Sequence, residues 1–256
     1  MAQPEYELIY WPKLIGRGEF IRLVFEEAGT AYTDSSRQPD AIPHLISFTS
    51  TSNKGDARNP PVLACPILKH GDFYISQLPN ILLYLGQQLG LVPDGAATHA
   101  LFHMNAIALT LLEGLCDEAH DSHHPIASSI YYEEQKDEAA RRTREYLSKR
   151  LPQFMTYIQR LLEAETSAQH GPWLYGEKLT YIDIVLFQCI DGVEYAFPSA
   201  VKRLRESGLY NAVFELHQAV MQRPRIKEYL ASERRNKYGE CIWRFYPDLQ
   251  EEVLMK

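Results

Sequence analysis

Every strand signal in this chain lies in its first third, and that asymmetry limits the fold more than any composition figure. Between Tyr6 and Ile75, short runs of β-branched and aromatic residues alternate with helical spacing; past about residue 90 the apolar residues recur only at helical spacing. Such a chain is expected to fold as a small α/β domain followed by an all-helical one. The stretch Gly90 to Thr98, with Pro93, Gly95 and two alanines, reads as the boundary, giving domains 1–92 and 98–256.

Tyr6 to Trp11 is a short strand stopped by Pro12, and Lys13 to Gly18 is a loop. Phe20, Ile21, Val24, Phe25 and Ala28 then share one helical face, and Gly29 stands where a helix ends. Ala31 to Thr33 reads as a second strand. Gln38 to Pro61 is polar and broken by Pro39, Pro43, Gly55, Pro60 and Pro61, so a long loop with one helical turn near Ile42–Phe48 is expected. Val62 to Leu68 and Phe73 to Ile75 flank His70-Gly71-Asp72 as a hairpin. Pro66 cannot donate to a ladder, so it marks an edge or a special peptide bond. Pro79 opens a helix with Ile81, Leu82, Leu85 and Leu89 on its apolar face.

The remainder reads as helices over Leu101–Ala119, Glu133–Glu165 with a kink at Pro152, Tyr181–Glu194, and three shorter ones to Ser232. The charges between Glu133 and Arg150 read as a solvated helix face. In the tail, Trp243, Phe245 and Tyr246 are too apolar to stay in water.

A net charge of −7 argues against bulk electrostatic binding of nucleic acid, and 45% hydrophobic residues suffice for a full core. The four cysteines, Cys65, Cys116, Cys189 and Cys241, are far apart and form neither a zinc nor a disulfide framework, which points to a reducing compartment. No membrane span and no signal peptide are expected, and the reading is a cytoplasmic protein.

Thr180-Tyr181-Ile182-Asp183 is a capping box: hydroxyl and carboxylate each satisfy a backbone amide at a helix start, a structural role for Asp183. With it, six segments in register over nearly the whole chain resemble the cytosolic glutathione transferases of the tyrosine-type classes (pi, sigma, alpha). These are Tyr10-Trp11-Pro12; Gly16-Arg17 with Glu19 and Arg22; Pro66; Gly71-Asp72 with Gln77 and Ile81-Leu82; Leu179 to Asp183; and Arg223-Pro224-Arg225-Ile226-Lys227.

The resemblance implies a thioredoxin-like N-terminal domain plus an all-α C-terminal helical bundle, glutathione as co-substrate with no metal, and a homodimer in which the first domain of one chain packs on the second of the other. It implies that Tyr10, otherwise an ordinary sheet residue, aims its hydroxyl at the glutathione sulfur and stabilises the thiolate that attacks a hydrophobic electrophile. It places Arg17, Lys54, Cys65, Pro66, Gln77 and Leu78 at glutathione, with Arg58 as a second candidate for the glycyl carboxylate. Leu78 departs from the family, which carries Ser or Thr there, and the Tyr10–Arg17 loop holds one extra residue.

The run Cys116 to Pro125 by itself leaves open a polar helix end, a metal pair from His120 and His124, and a Cys116–His120 nucleophile pair. The resemblance adds a pocket wall, so Trp11, Cys116, His120, His124 and the tail's Phe245 are expected around the acceptor. Two other readings belong to different classes. A thiol–disulfide enzyme needs a cysteine at or after Tyr10, and there is none. A binder of apolar ligands or of a partner protein on the same fold fits Leu78.

Overall fold

The computed structural model describes residues 5–93, 95, 98–167 and 171–254. They form two compact units: residues up to Leu91 together with Pro224–Lys237, and Val92–Arg223 together with the residues from Tyr238 onward.

In the first unit, β1 (Tyr6–Ile9), β2 (Tyr32–Asp34), β3 (Ile67–His70) and β4 (Phe73–Ser76) make a four-stranded sheet in the order β2-β1-β3-β4. β2 runs parallel to β1, so a crossover must join them, and α1 (Arg17–Ala28) is that crossover. Phe20, Ile21, Leu23, Val24 and Phe25 of α1 are fully buried. Gly29 ends the helix at φ 67°, a conformation that favours glycine, and Thr30 closes it by donating to the Phe25 carbonyl. β3 and β4 form an antiparallel hairpin across Gly71-Asp72, with His70 paired to Phe73. The strand expected from Val62 begins only at Ile67, after Pro66.

The loop expected over Gln38–Pro61 holds a nine-residue helix, α2 (Ala41–Thr49). Pro43 stands in its first turn, where the missing N–H has no intrahelical partner to lose. Burial of Ala41 and Leu45, the latter in a cluster with Ile9 and Ile67, supplies what a proline-rich sequence lacks in propensity. α3 (Leu78–Gln88) follows β4 with Pro79 in its first turn and buries Ile81, Leu82 and Leu85. Much later in sequence, α11 (Pro224–Ala231) packs against α1 in this same unit.

The second unit is helical. α4 (Thr98–Leu109) runs through π-helical turns at Thr110–Cys116 into α5 (Asp117–Asp121). At 24 residues with a mean hydropathy of 1.2 in its most apolar window, this helix reaches the length and composition of a membrane span. Its Met104, Ala108, Leu111 and Leu115 are buried core residues. α6 (Lys136–Glu145) and α7 (Leu151–Leu162) are joined by π-helical turns at Tyr146–Arg150. The wide turns come just before Pro152, whose ring clashes with the preceding turn of a regular α-helix. α8 (Tyr181–Ala196), α9 (Pro198–Glu206), α10 (Asn211–Met221) and the short α12 (Glu251–Leu254) complete the unit.

The capping box at the start of α8 is formed in both directions. The Thr180 amide donates to Asp183 Oδ2 at 2.7 Å, and the Leu174 amide to Oδ1 at 2.8 Å. Burial pushes the Asp183 carboxyl up to about 7 against these donors. The aromatic tail is docked on the same helix. Trp243 is fully buried, and a Cβ on Gly192 would lie 2.2 Å from its ring. Tyr246 stacks on Tyr132 at 3.9 Å between ring centroids, while Phe245 stays 45% exposed.

Candidate active site

Strand register brings three distant segments into one row. β1 pairs Ile9 with Ile67, and β3 pairs Ile67 with Ser76. Tyr10 follows Ile9, Pro66 precedes Ile67 and Gln77 follows Ser76, so the chain leaves the sheet through these three residues at one end of the paired strands. The Cys65–Pro66 bond is cis, the special X–Pro bond that the sequence allowed.

Tyr10 is held on several sides. The Arg17 amide, at the first position of α1, donates to its hydroxyl at 2.9 Å. A Cβ on Gly18 would lie 2.6 Å from Tyr10 Cδ1, so only glycine leaves room for the ring where it stands. The Arg22 guanidinium carbon lies 5.8 Å from the ring centroid. Arg22 is wholly buried, with Nε on Asp34 at 2.8 Å and Nη2 on the Ser36 hydroxyl at 3.2 Å. Arg22 in turn holds the Asp34 carboxyl below the usual carboxylate range, against the upward push of burial. Sequence reasoning missed Gly18; its signal is the second glycine of Gly16-Arg17-Gly18.

Gln77 takes φ 71° at the entrance to α3, a left-handed conformation held by a non-glycine residue and thus a marked feature of the row. Leu78 is 3% exposed, its side chain inside the protein. The first turn of α3 therefore offers the backbone amides of Leu78 and Asn80, since Pro79 has none. The candidate cations lie in the exposed loop after α2. Lys54 Nζ donates to the Thr51 carbonyl at 3.3 Å, and Arg58 pairs with Asp72 at 3.4 Å. Asn59, also missed from sequence, ties that loop to the sheet: it donates to the Asp72 carbonyl at 2.9 Å and accepts from the Tyr74 amide at 2.8 Å.

Residues 120–233 match the family described as Glutathione S-transferase, C-terminal domain. The chain is 28% identical over 238 residues to Glutathione S-transferase P 1 of Xenopus laevis, covering 91% of this chain and 95% of the relative. It is 22% identical over 233 residues to a glutathione S-transferase of Plasmodium falciparum, covering 90% and 98%. The pi-class glutathione S-transferase structure of Onchocerca volvulus superposes with a TM-score of 0.63 at 22% identity, covering 88% and 92%. These matches support a member of the cytosolic glutathione transferase superfamily.

Within the helical unit the expected acceptor residues differ in access. Cys116 is 1% and His124 7% exposed, so thiol and ring are enclosed. His120 is half-buried, its ring stacked on His124 at 5.4 Å. His123 lies between them and the tail. Its Nε2 meets the Ile242 carbonyl at 2.9 Å, and its Nδ1 faces His124 Nδ1 in a short contact. Burial, with Arg244 and His120 adding repulsion, pushes His123 down to about 3 and His124 down to about 4. Among the described residues no group of three metal-ligating side chains converges. Trp11, in the first unit, is 38% exposed beside Tyr10.

Proposed function

We propose that the protein is a tyrosine-type glutathione transferase. Glutathione lies along the row from Tyr10 to Gln77, and its thiolate attacks hydrophobic electrophiles. The observation that carries this reading is the row itself. Two strand spacings, about 10 Å, match the reach of an extended tripeptide at about 3.3–3.6 Å per residue. The backbone of Cys65, beside the cis bond, pairs with the cysteinyl unit, while Gln77 and the first amides of α3 take the γ-glutamyl carboxylate.

Tyr10 donates its hydroxyl proton to the sulfur while its oxygen accepts from the Arg17 amide. A donor polarised from behind is a better donor in front. Lowering a thiol pKa by about two units takes about 2.7 kcal/mol, within reach of a charge-assisted bond in a dry site. Lys54 or Arg58 supplies the cation for the glycyl carboxylate, and His120 and Phe245 supply acceptor contacts. The protein works as a cytoplasmic homodimer in conjugation of the detoxification type. The segment Pro60 to Ala64 supports dimerisation, because Leu63, 89% exposed, offers an apolar surface for a second copy to cover.

The alternative, a non-catalytic or weakly catalytic binder, draws on Leu78, which removes a hydroxyl from the carboxylate site. Calorimetric titration with glutathione, followed by turnover of a generic aryl halide, separates the two. Micromolar binding with turnover supports the transferase, and binding of apolar ligands without either supports the binder.

A further inference from the structure

The loop between Tyr10 and α1 is held from the far end of the chain. Lys13 in this loop has φ 63°, a costly conformation for a side-chain-bearing residue, so the loop needs support. One of its carbonyls, Leu14, accepts two hydrogen bonds: from Arg22 Nη1 at 3.3 Å and from Asn236 Nδ2 at 3.1 Å. Arg22 Nη1 also reaches Glu19 Oε2 at 3.3 Å. Glu19 is fully buried on the first turn of α1 and accepts from the Tyr229 hydroxyl at 3.0 Å, with Arg235 Nε 3.5 Å away. Tyr229 and Asn236 thus grip, within the first unit, both the loop and the helix end that presents the Arg17 amide to Tyr10.

We infer that Asn236 and Tyr229 are positioning residues for thiol activation: they fix Leu14 and Glu19 so that the Arg17 amide stays aimed at the Tyr10 hydroxyl. The inference rests on the role proposed for Tyr10. Their effect passes through the loop and α1, because Asn236 bonds Leu14 and Tyr229 bonds Glu19. When the grip is loosened, the Tyr10 hydroxyl loses the amide behind it and becomes a poorer donor to sulfur. Glutathione contacts at Cys65 and Gln77, on other segments, stay as they are.

The experiment titrates the ultraviolet absorbance of the thiolate of glutathione bound to the parent, Asn236→Asp and Tyr229→Phe. Asn236→Asp keeps the shape but replaces the donor with an oxygen that cannot bond a carbonyl. Tyr229→Phe keeps the ring and removes the hydroxyl. In each variant the apparent thiol pKa should rise by about half a unit to one unit, a three- to tenfold fall in the acid dissociation constant. kcat/KM should recover at alkaline pH, and the Kd for glutathione should not change. Asn236→Ala, at a half-buried position, guards against an effect of the new charge. A parent that depresses the thiol while all three variants titrate like it overturns the inference and leaves the role of Tyr10 standing. A parent that binds glutathione without depressing its thiol overturns both.

Discussion

The Arg17 amide donates to the Tyr10 hydroxyl at 2.9 Å, and the ring of the same tyrosine lies where a Cβ on Gly18 would stand 2.6 Å away. Helix start and phenol are therefore one rigid piece. Tyr10→Phe should leave the fold intact and raise the pKa of bound glutathione by one to two units, roughly 1.4–2.7 kcal/mol. Turnover should fall more than affinity. Gly18→Ala should mimic it by pushing the ring aside, at an overpacking cost of about 1–3 kcal/mol in stability. Spectroscopic titration of bound thiolate and melting curves check both; an unshifted thiol in Tyr10→Phe removes Tyr10 from the mechanism.

Leu78→Ser should move affinity and stability in opposite directions. A hydroxyl at the start of α3 should tighten glutathione binding by about 0.5–1.5 kcal/mol. Leu78 is 3% exposed, so losing its side chain should cost about 2–5 kcal/mol of stability. Calorimetry and denaturant melts on one preparation test the pair of signs.

Trp243→Ala should lower stability by about 3–5 kcal/mol, because it empties the slot against Gly192. Trp243 is a core side chain of the helical unit, so truncation before Cys241 should first show as a lower melting temperature. A truncated protein that melts like the parent contradicts this.

Acid should destabilise the tail clasp. His123 and His124 lie at about 3 and about 4 in the folded protein, below the ordinary 6.5. Between these values the unfolded chain binds more protons, so stability rises with pH. The contribution is complete above about 6.5 and is lost as pH falls towards 3. The groups facing the pair are His120, Arg244 and Glu133, and the carbonyl of Ile242 accepts from His123. His123→Gln should flatten the slope in a pH series of melting temperatures.

Asp183 runs the other way. Its folded value of about 7 lies above the ordinary 3.8, so the folded protein holds the proton longer than the unfolded chain. The advantage of the protonated form is complete below about 3.8 and lost as pH rises towards 7. Asp183→Asn should remove this slope, and Asp183→Ala should cost at least the ~1 kcal/mol of a cap. Activity of the folded fraction should be unchanged in both; loss of activity without loss of stability would make Asp183 functional.

Local physics was legible from the sequence. The capping box involves residues three positions apart, and its hydrogen bonds form wherever a helix starts there. Periodicity marked α1 and α3 because a buried face must repeat every 3.6 residues. Residue type singled out the Pro66 bond, but not where β3 begins. Other features depended on partners remote in the chain. α2 forms because Leu45 finds Ile9 and Ile67, a burial that outweighs the prolines and that no local pattern records. The row of Tyr10, Pro66 and Gln77 exists only through strand register, since a slip of one residue would turn each side chain to the opposite face. The slot for Trp243 on Gly192 and the bond from Asn236 to Leu14 join positions 51 and 222 residues apart. The sequence by itself determined which segments could become strands, helices and caps. Tertiary structure decided which remote groups share a site, because packing and hydrogen-bond satisfaction act over distances in space that separation along the chain does not encode.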